Sequence, residues 1–112
     1  MTRSLRDEIP SGTLDMLILQ TLVRGNPMHG FQIADTIQET SGDILQVEEG
    51  SLYPALQRLL IKGWISDEWG RTEGNRRARY YRLTASGRKQ LSREVEAYQR
   101  VSLAIARILE SA

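Results

Sequence analysis

The sequence predicts a mainly α-helical fold with one small β-hairpin, followed by a long C-terminal helix. Three segments before Gly63 place apolar residues every three or four positions, which is the helical period. Between residues 64 and 83 the pattern alternates around a turn that contains two glycines and an asparagine, as in a hairpin. Beyond Thr84, a predicted N-cap, the helical period returns for about 27 residues, which extend roughly 40 Å as a helix.

The first two helices are indicated by their caps and by their apolar faces. In TLDMLILQTLVR, Thr13 is the expected N-cap and Gly25 the expected stop. The apolar face of this first helix is expected to hold Leu14, Leu17, Ile18 and Leu22. The second, shorter helix is predicted in GFQIADTIQET, where apolar residues recur at three-residue steps: Phe31, Ala34 and Ile37.

The third helix, GSLYPALQRLLIKG, is predicted to start at Ser51 as N-cap. Pro54 then occupies the third helical position, where the backbone N–H that proline lacks has no acceptor within the helix. Glu48 and Glu49 precede the helix, where its dipole favours negative charge. A catalytic carboxylate pair is the weaker interpretation, because adjacent side chains of an extended segment point to opposite sides. The inner face is expected to hold Leu52, Leu56, Leu59 and Leu60.

The outward face of the third helix carries side chains that can read DNA. They are Ser51, Tyr53, Pro54, Gln57 and Arg58. An amide such as that of Gln57 can bond adenine through two hydrogen bonds, and the guanidinium of Arg58 can bind guanine or a phosphate. Hydroxyl groups can reach phosphate oxygens. The alternative, a polar face that contacts only solvent, remains open on this helix alone.

The hairpin is strongly basic although the net charge of the chain is only +1. From Arg71 to Lys89 there are seven basic residues and one acid, Glu73. The arginines predicted to contact DNA from the hairpin are Arg71, Arg76, Arg77 and Arg79. Arginine suits both the phosphate group and a narrow minor groove. A basic hairpin beside a polar third helix is typical of a winged helix-turn-helix that binds DNA.

Three further residues carry open alternatives. His29 is the only histidine, and it is interpreted as a turn residue that opens the second helix or, alternatively, as a phosphate contact from that helix's N-terminus. Trp64 and Trp69 are expected to close the core beneath the hairpin, because burying large rings stabilises a small domain. The weaker alternative is that they line a small-molecule pocket.

The final helix carries an apolar stripe of its own, which indicates a partner subunit. Five of its members fall close to a heptad seam, namely Leu91, Val95, Tyr98, Ile105 and Leu109. Val101 and Ile108 lie beside that seam and are included in the expected dimer interface. We therefore expect a homodimer. In this division, residues 1–84 form the winged helix-turn-helix and residues 85–112 the dimerisation helix of a single compact domain.

Composition excludes several classes of protein. With 40% hydrophobic and 26% charged residues the chain is typical of a globular protein, and it has no apolar run that could span a bilayer. A cytoplasmic protein without a membrane partner is therefore expected. The absence of cysteine removes disulfides and thiolate metal sites, and no cofactor, metal or catalytic residue is predicted. The sequence contains neither a phosphate-binding glycine loop nor a nucleophile elbow, so these motifs give no indication of an enzyme.

Several blocks of the sequence resemble the PadR family of bacterial transcriptional regulators, in particular its short, single-domain members. They are GTLDMLILQTL, HGFQIADTI, VEEGSLYPALQRL, KGWI and RRARYYRLTASGRKQL. The resemblance implies a homodimeric repressor that binds a palindromic double-stranded DNA operator and can be released by a small-molecule effector. It places the outward residues of the third helix on a recognition helix and the hairpin arginines on a wing. An alternative from another class is a winged helix that binds acidic proteins.

Overall fold

The computed structural model describes Ile9 and residues 12–111 of the chain. The other positions of the predicted segments 1–84 and 85–112 lie outside that description. The described residues form four helices and three strands in the order α1 (Leu14–Thr21), β1 (Met28–His29), α2 (Gly30–Thr40), α3 (Glu49–Ile61), β2 (Ile65–Arg71), β3 (Arg77–Leu83) and α4 (Ala85–Glu110). The predicted fold class, mainly α with a hairpin and a long last helix, is confirmed.

The core lies where α1, α2 and α3 meet the base of the hairpin and the first turns of α4. Its buried apolar residues are Ile18, Leu19, Leu22, Ile33, Ile37, Leu52, Ala55, Leu56, Leu59, Ile65, Tyr81 and Leu91. The first helix ends at Thr21, earlier than predicted, but Leu22 in the cap position stays buried. Thr13 occupies the predicted N-cap position without a capping hydrogen bond from its side chain.

Phe31 belongs to the spacing that predicts α2, but it does not lie on the buried face of that helix. The side chain of Phe31 is 57% exposed, whereas Gly30, Ile33 and Ile37 form the buried face of α2. Positions 30, 33 and 37 keep the three-and-four spacing of one helical face, and each residue turns the helix by about 100°, so position 31 faces away from that side. Phe31 is therefore available at the surface, in the first turn of α2.

The predicted start of the third helix was wrong. Glu48, not Ser51, is the N-cap, and Leu52 donates a hydrogen bond to its carbonyl oxygen at 2.9 Å. Pro54 is consequently the sixth helical residue, where a normal residue would donate a hydrogen bond to the carbonyl of Gly50. The helix gains one turn, with Glu49 in its favourable first-turn position. One internal hydrogen bond is lost at the proline.

The junction between α3, the hairpin and α4 is tightly bonded. Gly63, with φ of +74°, ends α3, while the N–H of Trp64 donates to the Leu59 carbonyl at 3.0 Å. Thr84 is the N-cap of α4, as predicted: its hydroxyl accepts from the N–H of Gly87 at 2.9 Å and donates to the carbonyl of Gly63 at 2.7 Å. The C-terminal end of α3 therefore fixes where α4 begins.

The sheet is antiparallel with strand order β1-β3-β2. In the hairpin, Trp69 pairs with Arg79 and Arg71 with Arg77, so these side chains share one face. β1 pairs with β3 through Met28 and His29. This two-residue strand was not predicted, since it is too short to show a period of two.

The prediction that Trp69 closes the core was wrong, whereas Trp64 is half-buried against it. Trp69 is 55% exposed although it lies on the same face of β2 as the buried Ile65. Four residues of a strand extend about 13 Å, which carries Trp69 past the edge of a core of this size. The hairpin therefore projects an aromatic ring beyond the hydrophobic core.

The long helix α4 changes its environment along its length. Leu91 is buried and Val95 packs against the core, so both contribute to the chain's own hydrophobic interior. Further along, the helix exposes most of its large apolar side chains: Tyr98, Val101, Leu103, Ile105, Ile108 and Leu109 are each at least half exposed. Within the described part of the chain, no helix has the length and apolar character to cross a membrane.

Candidate nucleic-acid interface

A cleft of about 550 Å³ opens between α3, the first turn of α2 and one face of the β2–β3 hairpin. Five residues that the sequence predicts to bind DNA line it together: Tyr53, Gln57, Arg76, Arg77 and Arg79. The other lining residues are His29, Gly30, Phe31, Leu56, Trp69, Thr72, Ala78 and Tyr81. We call this the helix–wing cleft. Of these other lining residues, His29 had been considered as a phosphate contact and Trp69 as part of a small-molecule pocket, whereas Phe31 and Thr72 were not predicted to bind any ligand.

The remaining predicted DNA-binding residues lie on the same elements but outside the cleft walls. Ser51 and Pro54 are exposed on α3. Arg71 ends β2 and donates a hydrogen bond from Nη1 to the carbonyl oxygen of Asn75 at 3.2 Å, within the hairpin turn. Arg58 is exposed on α3 but is engaged by the first helix. The cleft therefore collects five of the nine predicted residues, and the other four extend along α3 and the turn.

Arg58 joins α3 to the start of α1. Its Nη2 lies 2.8 Å from Oδ1 of Asp15, and its Nε lies 3.5 Å from Oδ2 of the same carboxylate. The hydrogen bond to Asp15, followed by the attraction between the two charges, raises the pKa of the Arg58 guanidinium. This pair orients the guanidinium toward α1, so a DNA contact by Arg58 has to compete with Asp15.

Glu94, on α4, lies near enough to Asp15 for the two carboxylates to interact electrostatically. Its Oε2 atom is buried and makes no hydrogen bond within the described residues. Burial raises the pKa of the Glu94 carboxyl, and the negative charge of Asp15 raises it further, while a hydrogen bond with Gln90 and the charge of Lys62 act in the opposite direction. An ionised carboxylate in this position therefore destabilises the packing of α4 against α1 and α3.

Replacing Glu94 with glutamine is expected to stabilise the fold at neutral pH. A raised carboxyl pKa in the folded state means that the contribution of Glu94 to stability is present below the ordinary carboxyl range and is lost as the pH rises through the raised pKa. Glu94→Gln should therefore increase the free energy of unfolding in urea at pH 7 and leave it nearly unchanged at pH 4. Glu96→Gln, at an exposed position of the same helix, is the control. An equal gain at both pH values would contradict the assignment.

The hairpin face that borders the cleft combines aromatic and cationic groups. The guanidinium carbon of Arg77 lies 4.4 Å from the ring centroid of Trp69, and that of Arg79 lies 5.1 Å from it. Arg79 also pairs with Asp67 at 3.2 Å. Arg76 and Arg77 make no ion pair within the described part of the chain. Two guanidinium groups of the wing are thus available for an anionic partner.

The opposite wall is built from α2 and α3. A β-carbon added to Gly30 would lie 3.0 Å from the hydroxyl oxygen of Tyr53, so the tyrosine ring packs against the first turn of α2. His29 is the N-cap of α2: its Nδ1 accepts from the N–H of Gln32 at 3.4 Å, and its own N–H donates to Oε1 of that glutamine at 3.0 Å. This confirms that His29 opens the second helix. Burial raises the pKa of Tyr81, a buried residue that also lines the cleft.

The charge of the cleft has one sign. Three arginines line it, and no lining residue carries a carboxylate. A concave surface with this charge raises the local concentration of anions. The residues that sequence analysis missed, Phe31 and Trp69, add exposed aromatic surface to the two sides of the cleft.

Known proteins of similar sequence and shape identify the family. A model of the transcriptional regulator PadR-like family matches residues 18–93. A protein of Lysinibacillus sphaericus, named only as an uncharacterized protein, is 30% identical over 106 residues, which cover 95% of this chain and 96% of that protein.

Solved structures show the same fold. A transcriptional regulator from Clostridium thermocellum is 27% identical with a TM-score of 0.80, covering 88% of this chain and 95% of that one. A PadR family regulator from Clostridium difficile is 26% identical with a TM-score of 0.74, covering 88% and 99% of the two chains. The PadR-like family is a family of transcriptional regulators and not of enzymes. The chain belongs to the PadR-like family of transcriptional regulators.

Proposed function

We propose that the protein is a homodimeric repressor that binds a palindromic double-stranded DNA operator in the cytoplasm. The observation that carries the proposal is the helix–wing cleft, in which the outward face of α3 and the arginines of the wing meet in one basic surface without a carboxylate. Phosphate groups are the anions for which such a surface is suited, because guanidinium groups bind them through paired hydrogen bonds. Release by a small-molecule effector stays a prediction from the family resemblance.

In this proposal α3 enters the major groove. Ser51, Tyr53, Pro54 and Gln57 are exposed along it. Gln57 is the residue best suited to read a base, because its amide can donate to and accept from the edge of adenine. Arg58 contacts the duplex only if it exchanges Asp15 for a phosphate or a guanine.

The wing supplies the contacts that hold the protein on the backbone. Arg76 and Arg77 are the principal residues, because they lie at the start of β3 and have no competing carboxylate among the described residues. Arg79 is partly neutralised by Asp67, and Arg71 stabilises the turn, so we assign them smaller roles.

The second subunit binds through the exposed part of α4. Leu91 and Val95 serve the core of their own chain, so the dimer contact is assigned mainly to the stripe of Tyr98, Val101, Ile105, Ile108 and Leu109. Two copies of α3 related by a twofold axis then meet half-sites about one helical turn, roughly 34 Å, apart or a multiple of that distance.

The wing assignment is tested by the salt dependence of DNA binding. Arg76→Ala combined with Arg77→Ala should weaken binding to all duplexes by roughly 10- to 100-fold and lower the slope of log Kd against log salt by about 2, one for each lost phosphate contact. Lys89→Ala combined with Arg93→Ala removes the same charge from an exposed face of α4 and is the matched control.

Two further results decide between alternatives. Gln57→Ala should relax the preference for one base with the salt slope unchanged, which separates base reading from backbone binding. An unchanged slope in the double arginine variant would overturn the wing assignment. If the wild-type protein failed to retard random duplex DNA at low salt, the winged helix that binds acidic proteins would become the better proposal.

A further inference from the structure

We propose that Phe31 and Trp69 are DNA-contacting residues, which pack against the deoxyribose groups of one strand while Arg76 and Arg77 hold its phosphates. The inference deepens the proposed function and rests on it, because it concerns how the same cleft holds duplex DNA. Neither aromatic residue was predicted as a contact, and neither carries charge.

Exposure is the first reason. Phe31 and Trp69 are 57% and 55% exposed, yet both line a concave surface of about 550 Å³. Large aromatic surface in contact with water is unfavourable, and covering it contributes about 25 cal/mol per Å² of apolar area. Residues of this kind that border a binding cleft are typically covered when the partner binds. The fold does not need them in the core, because the core closes without them.

The second reason is that each ring lies next to a group that can attract a phosphate. The guanidinium of Arg77 lies 4.4 Å from the ring centroid of Trp69. A phosphate bound by Arg77 therefore brings its sugar close to that ring. On the opposite side, Phe31 belongs to the first turn of α2, where the helix dipole favours an anion and the N–H groups other than that of Gln32, which donates to His29, can face it. Each aromatic residue thus stands beside a group that attracts phosphate.

A DNA strand satisfies both properties of the cleft at once. Its backbone alternates an anion with an apolar sugar, and on the wing side of the cleft two guanidinium groups flank an aromatic ring. An acidic protein would provide the anions without the regular apolar groups between them. The walls are also largely preformed, since the ring of Tyr53 packs against Gly30 and Arg77 and Arg79 flank Trp69. Little ordering is then required when the strand enters.

If the two rings contact DNA, removing either one should lower the affinity for DNA by the same factor at every salt concentration. Arginine contacts release counterions and set the salt slope, whereas apolar contacts do not. Phe31→Ala and Trp69→Ala should each weaken duplex binding by roughly 5- to 20-fold across the whole salt range, with the slope within about 0.5 of the wild-type value. The arginine variants, in contrast, change the slope. This separates the apolar contacts from the basic ones in a single titration series.

Conservative and control variants make the test specific. Phe31→Leu should recover most of the lost affinity because it retains apolar surface, while Phe31→Gln, of similar length, should not. Ile61→Ala removes an apolar side chain that is 76% exposed at the end of α3 and outside the cleft walls, so it should leave Kd unchanged. Thermal unfolding of each variant establishes that the fold is intact, as their exposure predicts.

Acrylamide quenching of tryptophan fluorescence gives a second measurement on the unmodified protein. Acrylamide is neutral, so charge does not affect its approach, and Trp69 is the more exposed of the two tryptophans. Duplex DNA should lower the quenching of Trp69 at least twofold, and Trp69→Leu should remove that protection while Trp64→Phe retains it.

Three outcomes would count against the inference in different ways. Wild-type affinity in both Phe31→Ala and Trp69→Ala would overturn it while leaving DNA binding by α3 and the wing intact. Quenching unchanged by bound DNA would overturn the assignment of Trp69. A wild-type protein that binds no duplex would overturn the proposed function itself, and the inference with it.

Discussion

Gly87→Ala is expected to lower the free energy of unfolding by about 3 kcal/mol, the largest stability effect that we predict for a single methyl group in this chain. A β-carbon at position 87 would lie 2.0 Å from the backbone oxygen of Trp64 and 2.8 Å from a methyl carbon of Leu83. Backbone atoms cannot move aside as a flexible side chain does. The first turn of α4 would have to move away from the junction that Thr84 and Gly63 form.

The sign of this effect is opposite to that of helix propensity. Alanine in the interior of a helix is favoured over glycine by about 1 kcal/mol, so a Gly87 without close neighbours would be improved by the change. Gly50→Ala, in the first turn of α3, provides this comparison because no heavy atom lies within 4 Å of the added carbon. It should leave stability unchanged or raise it by up to about 1 kcal/mol.

Thermal unfolding measures the difference directly. For a domain of this size, a loss of about 3 kcal/mol lowers Tm by roughly 12 °C or more. Equal Tm values for Gly87→Ala and Gly50→Ala would contradict the close approach of α4 to Trp64. Since Gly87 also donates its N–H to Thr84, the result reports on the whole start of α4.

The order and type of the main elements could be predicted because each has a strong period or cap. The boundaries were less predictable where two capping solutions have similar energy. Ser51 is chemically a good N-cap, but starting at Glu48 adds a turn to α3 and places Glu49 at the positive end of the helix. That gain outweighs the hydrogen bond lost at Pro54, and sequence spacing alone does not reveal the balance.

The residues of the candidate site, like the element boundaries, could be predicted only in part. Arginines near a hairpin turn are recognisable in sequence because charge rarely stays buried, and Arg76 and Arg77 do line the cleft. Trp69 was placed in the core, and Phe31 was grouped with Ala34 and Ile37, because periodicity shows which residues share a face but not where the core ends. The pairing of Arg58 with Asp15 was not predictable, since the two residues are 43 positions apart.

Replacing Tyr98 and Ile105 with glutamate is expected to have the largest effect on operator binding. Both residues are about half exposed, on the stripe of α4 that we assign to the dimer contact. Two carboxylates from each subunit would meet across the twofold axis, and burying unpaired charges of one sign is strongly unfavourable. The variant should be a monomer by light scattering at micromolar concentration, whereas the wild type should be a dimer.

A variant that cannot dimerise should lose affinity for a full operator but keep its affinity for a single half-site. Linking two recognition helices raises affinity for a paired site by about 10² to 10⁴ without a new contact. Tyr98→Glu with Ile105→Glu should lose that factor on a full palindrome and bind a single half-site as the wild type does. The control is Gln99→Glu with Leu103→Glu, which adds the same charge, two carboxylates per subunit, on the other side of α4, where Leu103 is also 54% exposed.

Comparison of the two variants distinguishes disruption of a specific interface from a general effect of added charge. At about 100° per residue, positions 98 and 105 lie on one side of the helix, and positions 99 and 103 are rotated by roughly 100° to 160° from them. A dimer that survives the first pair of substitutions but dissociates with the second would move the contact to the face of Leu103. Dimers in both variants would mean that neither of these two faces of α4 joins the subunits, because the interface would otherwise have to bury four carboxylates.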